Sequence, residues 1–195
     1  MPSRVLLVIA VPLALLVVSL SVAATWSSSA GAESNVRPGA EVIAAQATPQ
    51  VSTRTLFRSV LPRVRHRSGV PILLPSRVPA YVPASRLNAS GSGSRRAYSL
   101  ALASAPGCGG ATACFVGSFT GRRGGSPAYH RTVRLAGGVR GYFKPLTCGA
   151  SCSPPVVQWV RRGVLYEISY AGASRTRERA VLTGLASSAI RSGAR

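Results

Sequence analysis

The chain has 195 residues, with 24 Lys plus Arg against 4 Asp plus Glu and a formal net charge of +20. Every acid is a glutamate (Glu33, Glu41, Glu167 and Glu178), and Lys144 is the one lysine. This shortage excludes carboxylate-rich sites for hard divalent cations and leaves a Ser-His-Asp triad without its orienting aspartate.

In chain order, Val5 to Ala24 form an apolar run behind Arg4, followed by small residues at Val22-Ala23-Ala24 and again at Ala30-Gly31-Ala32. The pattern is a secretory signal peptide over 1–24, with a second acceptable cleavage site as late as residue 32. An uncleaved membrane anchor is the competing reading, since about 20 apolar residues span a bilayer. Residues 25–68 are rich in Ala, Ser, Pro and Arg without a steady period, which predicts a disordered tether. Thr53 to Arg67 allow one or two amphipathic turns before Pro62, with a basic linker the better-supported reading.

Residues 69–195 form the expected domain. Prolines on both sides of Ile72-Leu73-Leu74 predict an edge strand or extended segment. Asn88 to Ser94 read as a flexible loop. Strand-like runs follow at 97–103, 113–120, 132–135, 139–143, 156–160 and 164–170, separated by glycine-rich turns. Gly137-Gly138 is the clearest hairpin signal. In Val164 to Tyr170 the alternation puts Leu165, Glu167 and Ser169 on one face and Val164, Tyr166, Ile168 and Tyr170 on the other. The ending predicts a helix, with Ser174 as N-cap, Glu178 in its first turns and an apolar stripe of Val181, Leu182, Leu185, Ala186, Ala189 and Ile190. The fold class is therefore α+β: one antiparallel sheet with a C-terminal amphipathic helix packed on one face.

An even number of cysteines behind an export signal predicts two disulfides. Glycines inside each close pair favour Cys108–Cys114 and Cys148–Cys152, each worth about 2 kcal/mol by loop closure. Zinc is the sharper alternative, but the spacers of five and three residues fit the usual ligand spacing poorly. Cys148 and Cys152 are one residue too far apart for a redox C-x-x-C motif. His130 and Glu167 are the main residues left for acid–base work, a thin provision for a hydrolase, so no catalytic residue, cofactor or metal is assigned. Arg122, Arg123, Arg131, Arg134 and Arg140, interleaved with Tyr129, Tyr142 and Phe143, form the candidate anion-binding cluster. No signature of specific nucleic-acid binding accompanies them.

The segments PILLPSRVP, GYFKPLTCGASCSPPVVQWVRRGVLYEISY and ASSAIRSG resemble a family of exported bacterial domains. That family has a Leu-Pro-Ser opening, a Cys-Gly-x-x-Cys loop, Trp and Tyr strands and a closing helix. The resemblance covers about residues 69–193 and implies an α+β domain outside the cytoplasm, with no activity, cofactor or catalytic residue. The expectation is a secreted, non-enzymatic domain with a binding or structural role at the cell envelope. Its expected partner is an anionic wall polymer or an anionic lipid surface, with membrane attachment only if the N-terminal segment is retained.

Overall fold

The computed structural model describes residues 48–108 and 112–195. The expected signal peptide and the expected tether up to residue 47 lie outside the described residues. In chain order the elements are β1 (Gln50–Ser52), α1 (Thr53–Leu56), α2 (Leu61–Arg67), β2 (Arg77–Pro79), β3 (Asn88–Ser94), β4 (Ala97–Ala103) and β5 (Phe115–Arg123). They continue with β6 (Arg131–Arg134), β7 (Arg140–Lys144), β8 (Thr147–Cys148), β9 (Cys152–Ser153), β10 (Val156–Arg161), β11 (Val164–Tyr170) and α3 (Glu178–Ser192). Seven strands form one antiparallel sheet in the order β3–β4–β5–β11–β10–β7–β6, and β1–β2 and β8–β9 are small separate ribbons. The expected α+β architecture is the observed one.

Strand register sorts the side chains by face. Leu100, Phe119, Ile168, Val157 and Phe143 form one cross-strand row on the inner face. Tyr98, Gly121, Tyr166, Trp159, Gly141 and Val133 form the next. The inner face is buried by α3, through Leu182, Leu185, Ala186, Ala189 and Ile190, and by an N-terminal layer holding Phe57, Val60, Leu61 and Val64. Burying each large apolar side chain contributes about 1.5–3 kcal/mol. The outer face shows Ser99, Ser118, Thr120 and Arg122, with the loop before β6 tied over its centre by a bond from Ala128 N to Gln158 Oε1 (2.8 Å).

The N-terminal layer corrects two expectations. Residues 48–68 are part of the fold and not a tether: α1 and α2 pack Phe57 edge-on against Phe119, with ring centroids 5.9 Å apart. The sequence signal was weak because each helix is short and outwardly arginine-rich, and a helix that short is made by packing rather than by propensity. Asn88–Ser94 is likewise an edge strand and not a loop. Its glycines are the reason. A Cβ at Gly91 would lie 2.6 Å from Leu100 Cδ2, and one at Gly93 would lie 2.7 Å from the Val64 carbonyl oxygen. Only a bare backbone lets α2 sit this close to the sheet.

Between the two helical layers the proline-rich segment 70–79 crosses the inner face. Its prolines supply carbonyls but no donors, and tyrosines of the sheet meet them. Tyr98 Oη donates to Leu73 O and accepts from Leu73 N, both at 3.1 Å. Tyr166 Oη donates to Pro71 O (3.2 Å), Tyr170 Oη to Pro79 O, and Thr53 Oγ1 to Pro75 O. Burial pushes the Tyr98 and Tyr170 hydroxyls well above the ordinary tyrosine range.

Helix α3 begins at Glu178, so Ser174 is not its side-chain N-cap. The Ser174 carbonyl instead accepts from Arg177 N and Glu178 N at 2.8 and 2.9 Å, in a turn that precedes the helix. The Glu178 carboxylate points inward and accepts from Leu146 N at 3.3 Å.

Candidate functional site: the arginine end of the sheet

Antiparallel pairing fixes which turns share an end of the sheet. Ala97 pairs with Arg122, Val164 with both Arg123 and Arg161, and Arg134 with Arg140. The β3–β4 turn (Arg95 and Arg96), the end of β5 (Arg122 and Arg123), the β10–β11 turn (Arg161 and Arg162) and the flanks of the β6–β7 turn (Arg134 and Arg140) therefore gather at one end. The cysteines lie at the other. Cys108–Cys114 joins the approach to β5, with Cα atoms 6.3 Å apart, and Cys148–Cys152 closes the β8–β9 ribbon, with Cα atoms 4.0 Å apart. Both pairings are the expected local ones.

Of the five arginines singled out in the sequence, Arg122, Arg123, Arg134 and Arg140 sit at the arginine end. Arg131 does not: it pairs with Phe143 at the opposite end of β6. Arg122 and Arg123 point to opposite faces, as successive strand residues must. Arg134 and Arg140 face each other directly on the outer side, a like-charge cross-strand pair that costs stability. Arg179 of α3 joins them, its Nη2 donating to Thr132 O at 3.4 Å.

The turn arginines Arg161 and Arg162 are not among the five singled out in the sequence. The structure brings them beside Arg123, around a cavity of about 310 Å³ also lined by Pro71, Leu73, Val164 and Tyr166. Arg123 Nη2 donates to Gly69 O (2.9 Å) and Arg161 Nη1 to Ile190 O (3.2 Å), so single anchors position both guanidinium groups. Gly124 N donates to Gly163 O (2.9 Å), which fixes the β5 end to the β10–β11 turn. Arg162 has φ of 50° and Gly163 has φ of 71°. Together they form a two-residue hairpin of the kind that favours Asn-Gly, and an arginine at the first position costs about 1 kcal/mol. The signal was present in the sequence: an Arg-Arg-Gly turn between two alternating runs, where a glycine or asparagine is usual.

The electrostatics of the described residues are one-sided. Glu178 is 6% exposed and bound to Leu146 N. Glu167 is half-buried and accepts from Gln158 Nε2 at 2.5 Å, in the chain of bonds that ties down the loop before β6. No exposed carboxylate side chain is found among the described residues, while the arginines, save the partly buried Arg161 and Arg195, are exposed.

Comparisons of this chain with protein-family models, curated proteins and solved structures found no match.

Proposed function

We propose that this is an exported, non-enzymatic domain that binds anionic surfaces of the cell envelope through the arginine end of its sheet. One observation carries the reading: among the described residues, every exposed ionised side chain outside the two histidines is a cation, and strand pairing gathers Arg95, Arg96, Arg122, Arg123, Arg134, Arg140 and Arg162 at one end of the sheet. A patch of one sign raises the local concentration of polyanions and speeds encounter at low salt. The two disulfides fit an oxidising compartment. No helix among the described residues is long and apolar enough to cross a membrane. The engagement of Glu167 and Glu178 in internal hydrogen bonds favours binding over hydrolysis.

The test is co-sedimentation with wall preparations and with anionic and neutral vesicles over a range of NaCl. Retention that is strong at low salt and lost at high salt is expected. No retention by any anionic surface at low salt overturns the proposal. N-terminal sequencing of the exported form accompanies it: a start near Thr25 or Glu33 supports secretion, and an intact Met1 supports an anchored form.

A further inference from the structure

The cavity beside Arg123, Arg161 and Arg162 differs from the rest of the arginine end, because its charge sits against apolar walls. Pro71, Leu73 and Val164 line one part and the guanidinium groups another. At about 310 Å³ it lies at the small end of the range for ligand pockets. The field of all these arginines reaches one point: burial raises the Tyr166 hydroxyl above its ordinary range, while Arg161, Arg123 and Arg162 each act to lower it. Among the described residues, neither Glu167 nor Glu178 lines the cavity. The backbone conformation of Arg162 is unfavourable for a side chain, and glycine would fit that turn without strain. Arginine stands there nonetheless, on the rim of the cavity.

We infer that this cavity seats the phosphate of an anionic lipid headgroup, with Arg123, Arg161 and Arg162 on the phosphate oxygens and the glycerol and first acyl carbons against Pro71, Leu73 and Val164. Arginine suits this task because its planar, weakly hydrated donors match phosphate geometry. The apolar walls favour a lipid over a bare phosphate or a fully hydrated wall polymer. The inference rests on the anion-binding reading proposed above and narrows it to one place and one chemistry.

The experiment titrates the full chain by calorimetry with monomeric dihexanoyl phosphatidylglycerol, glycerol phosphate, inorganic phosphate and dihexanoyl phosphatidylcholine. The proteins compared are wild type, Arg162→Gly, Arg123→Gln and Arg95→Gln. Phosphatidylglycerol is expected to bind at least tenfold tighter than glycerol phosphate or inorganic phosphate. Arg162→Gly, which relieves the turn, is expected to fold at least as stably as wild type and to bind at least fivefold more weakly. Arg123→Gln should weaken binding similarly, and Arg95→Gln, at the same end but outside the cavity, by less than twofold. Equal losses in all variants would overturn the cavity and leave diffuse charge at the arginine end. Equal affinity for inorganic phosphate would overturn the lipid assignment. Absence of binding to phosphatidylglycerol, together with failure to sediment with any anionic surface, would overturn the broader reading as well.

Discussion

Tyr98→Phe tests the claim that sheet hydroxyls hold the proline-rich segment in place. Tyr98 and Leu73 are 3% and 4% exposed. The main chain of the last residues is the second neighbour of this segment: Arg195 N donates to Ile72 O at 3.0 Å, and Leu73 faces Ala194 in an isolated antiparallel bridge. In that register Leu73 occupies the non-hydrogen-bonded position, so its own N–H and C=O turn away from residue 194 and toward Tyr98. One hydroxyl serves both groups. Phenylalanine keeps the ring and its packing but strands a buried donor and a buried acceptor, each costing about 1–3 kcal/mol. A loss of about 2–4 kcal/mol is expected, a large share of the stability of a small domain. In urea, with a slope of about 2 kcal/mol/M, the midpoint should fall by about 1–2 M with the slope unchanged. Buried Trp159, stacked on Tyr166 at 5.5 Å, provides the fluorescence probe. Tyr142→Phe, on the half-buried outer side of β7, is the control. A loss below about 0.5 kcal/mol, within the range of ordinary surface changes, would refute the reasoning.

Three further outcomes follow from the same geometry. Gly93→Ala should destabilise the fold by about 1–3 kcal/mol, because the new Cβ meets the Val64 carbonyl backbone and not a movable side chain; an unchanged urea midpoint would contradict the close packing of α2. Trypsin digestion without reduction should yield separate peptides for Cys108–Cys114 and Cys148–Cys152, each gaining two hydrogens on reduction, whereas a single cross-linked species would contradict the local pairing. Tyr98 and Tyr170 hold their protons more tightly in the folded state than in the unfolded chain. Their contribution to stability is therefore full below the ordinary tyrosine value of about 10 and is lost as pH rises above it, by up to about 1.4 kcal/mol per pH unit for each group. Absorbance at alkaline pH should show these two ionising only as the fold is lost; complete titration of all 6 tyrosines in folded protein near that value would refute it.

The strands from Ala97 onward were legible because alternation and glycine turns are local signals, and β4 and β11 match the sequence expectation residue for residue. The N-terminal layer was not. Phe57, Val60, Leu61 and Val64 are apolar at helical spacing, but Pro62 and the surrounding arginines hide a stripe that only the sheet completes. Strand β3 was hidden for the opposite reason. Its serines and glycines have low strand propensity, and the glycines are there for the sake of the helix above them. The arginine cluster was found as a composition and partly misassigned as a place. Arg131 is close to Arg134 in sequence, yet β6 carries it to the far end, while Arg161 and Arg162, remote in sequence, pair into the same end as Arg123.

Concentrating like charges at one end predicts how salt acts on folding and on binding. Ordinary surfaces interleave acids with bases, so salt weakens attraction and repulsion together. Here the described surface has no exposed carboxylate side chain, so screening removes mainly repulsion. The Debye length shrinks from about 30 Å at 0.01 M to about 3 Å at 1 M salt. Raising NaCl should therefore stabilise the fold while it weakens binding to anionic surfaces, with opposite signs in one protein. The facing pair of Arg134 and Arg140 isolates the effect. Arg134→Gln should stabilise by about 0.2–1 kcal/mol at low salt, the size of a cross-strand pair, and by almost nothing at high salt. If Arg134→Gln destabilises the fold at low salt, or NaCl lowers the urea midpoint of the wild type, repulsion at this end is not what the fold has to offset.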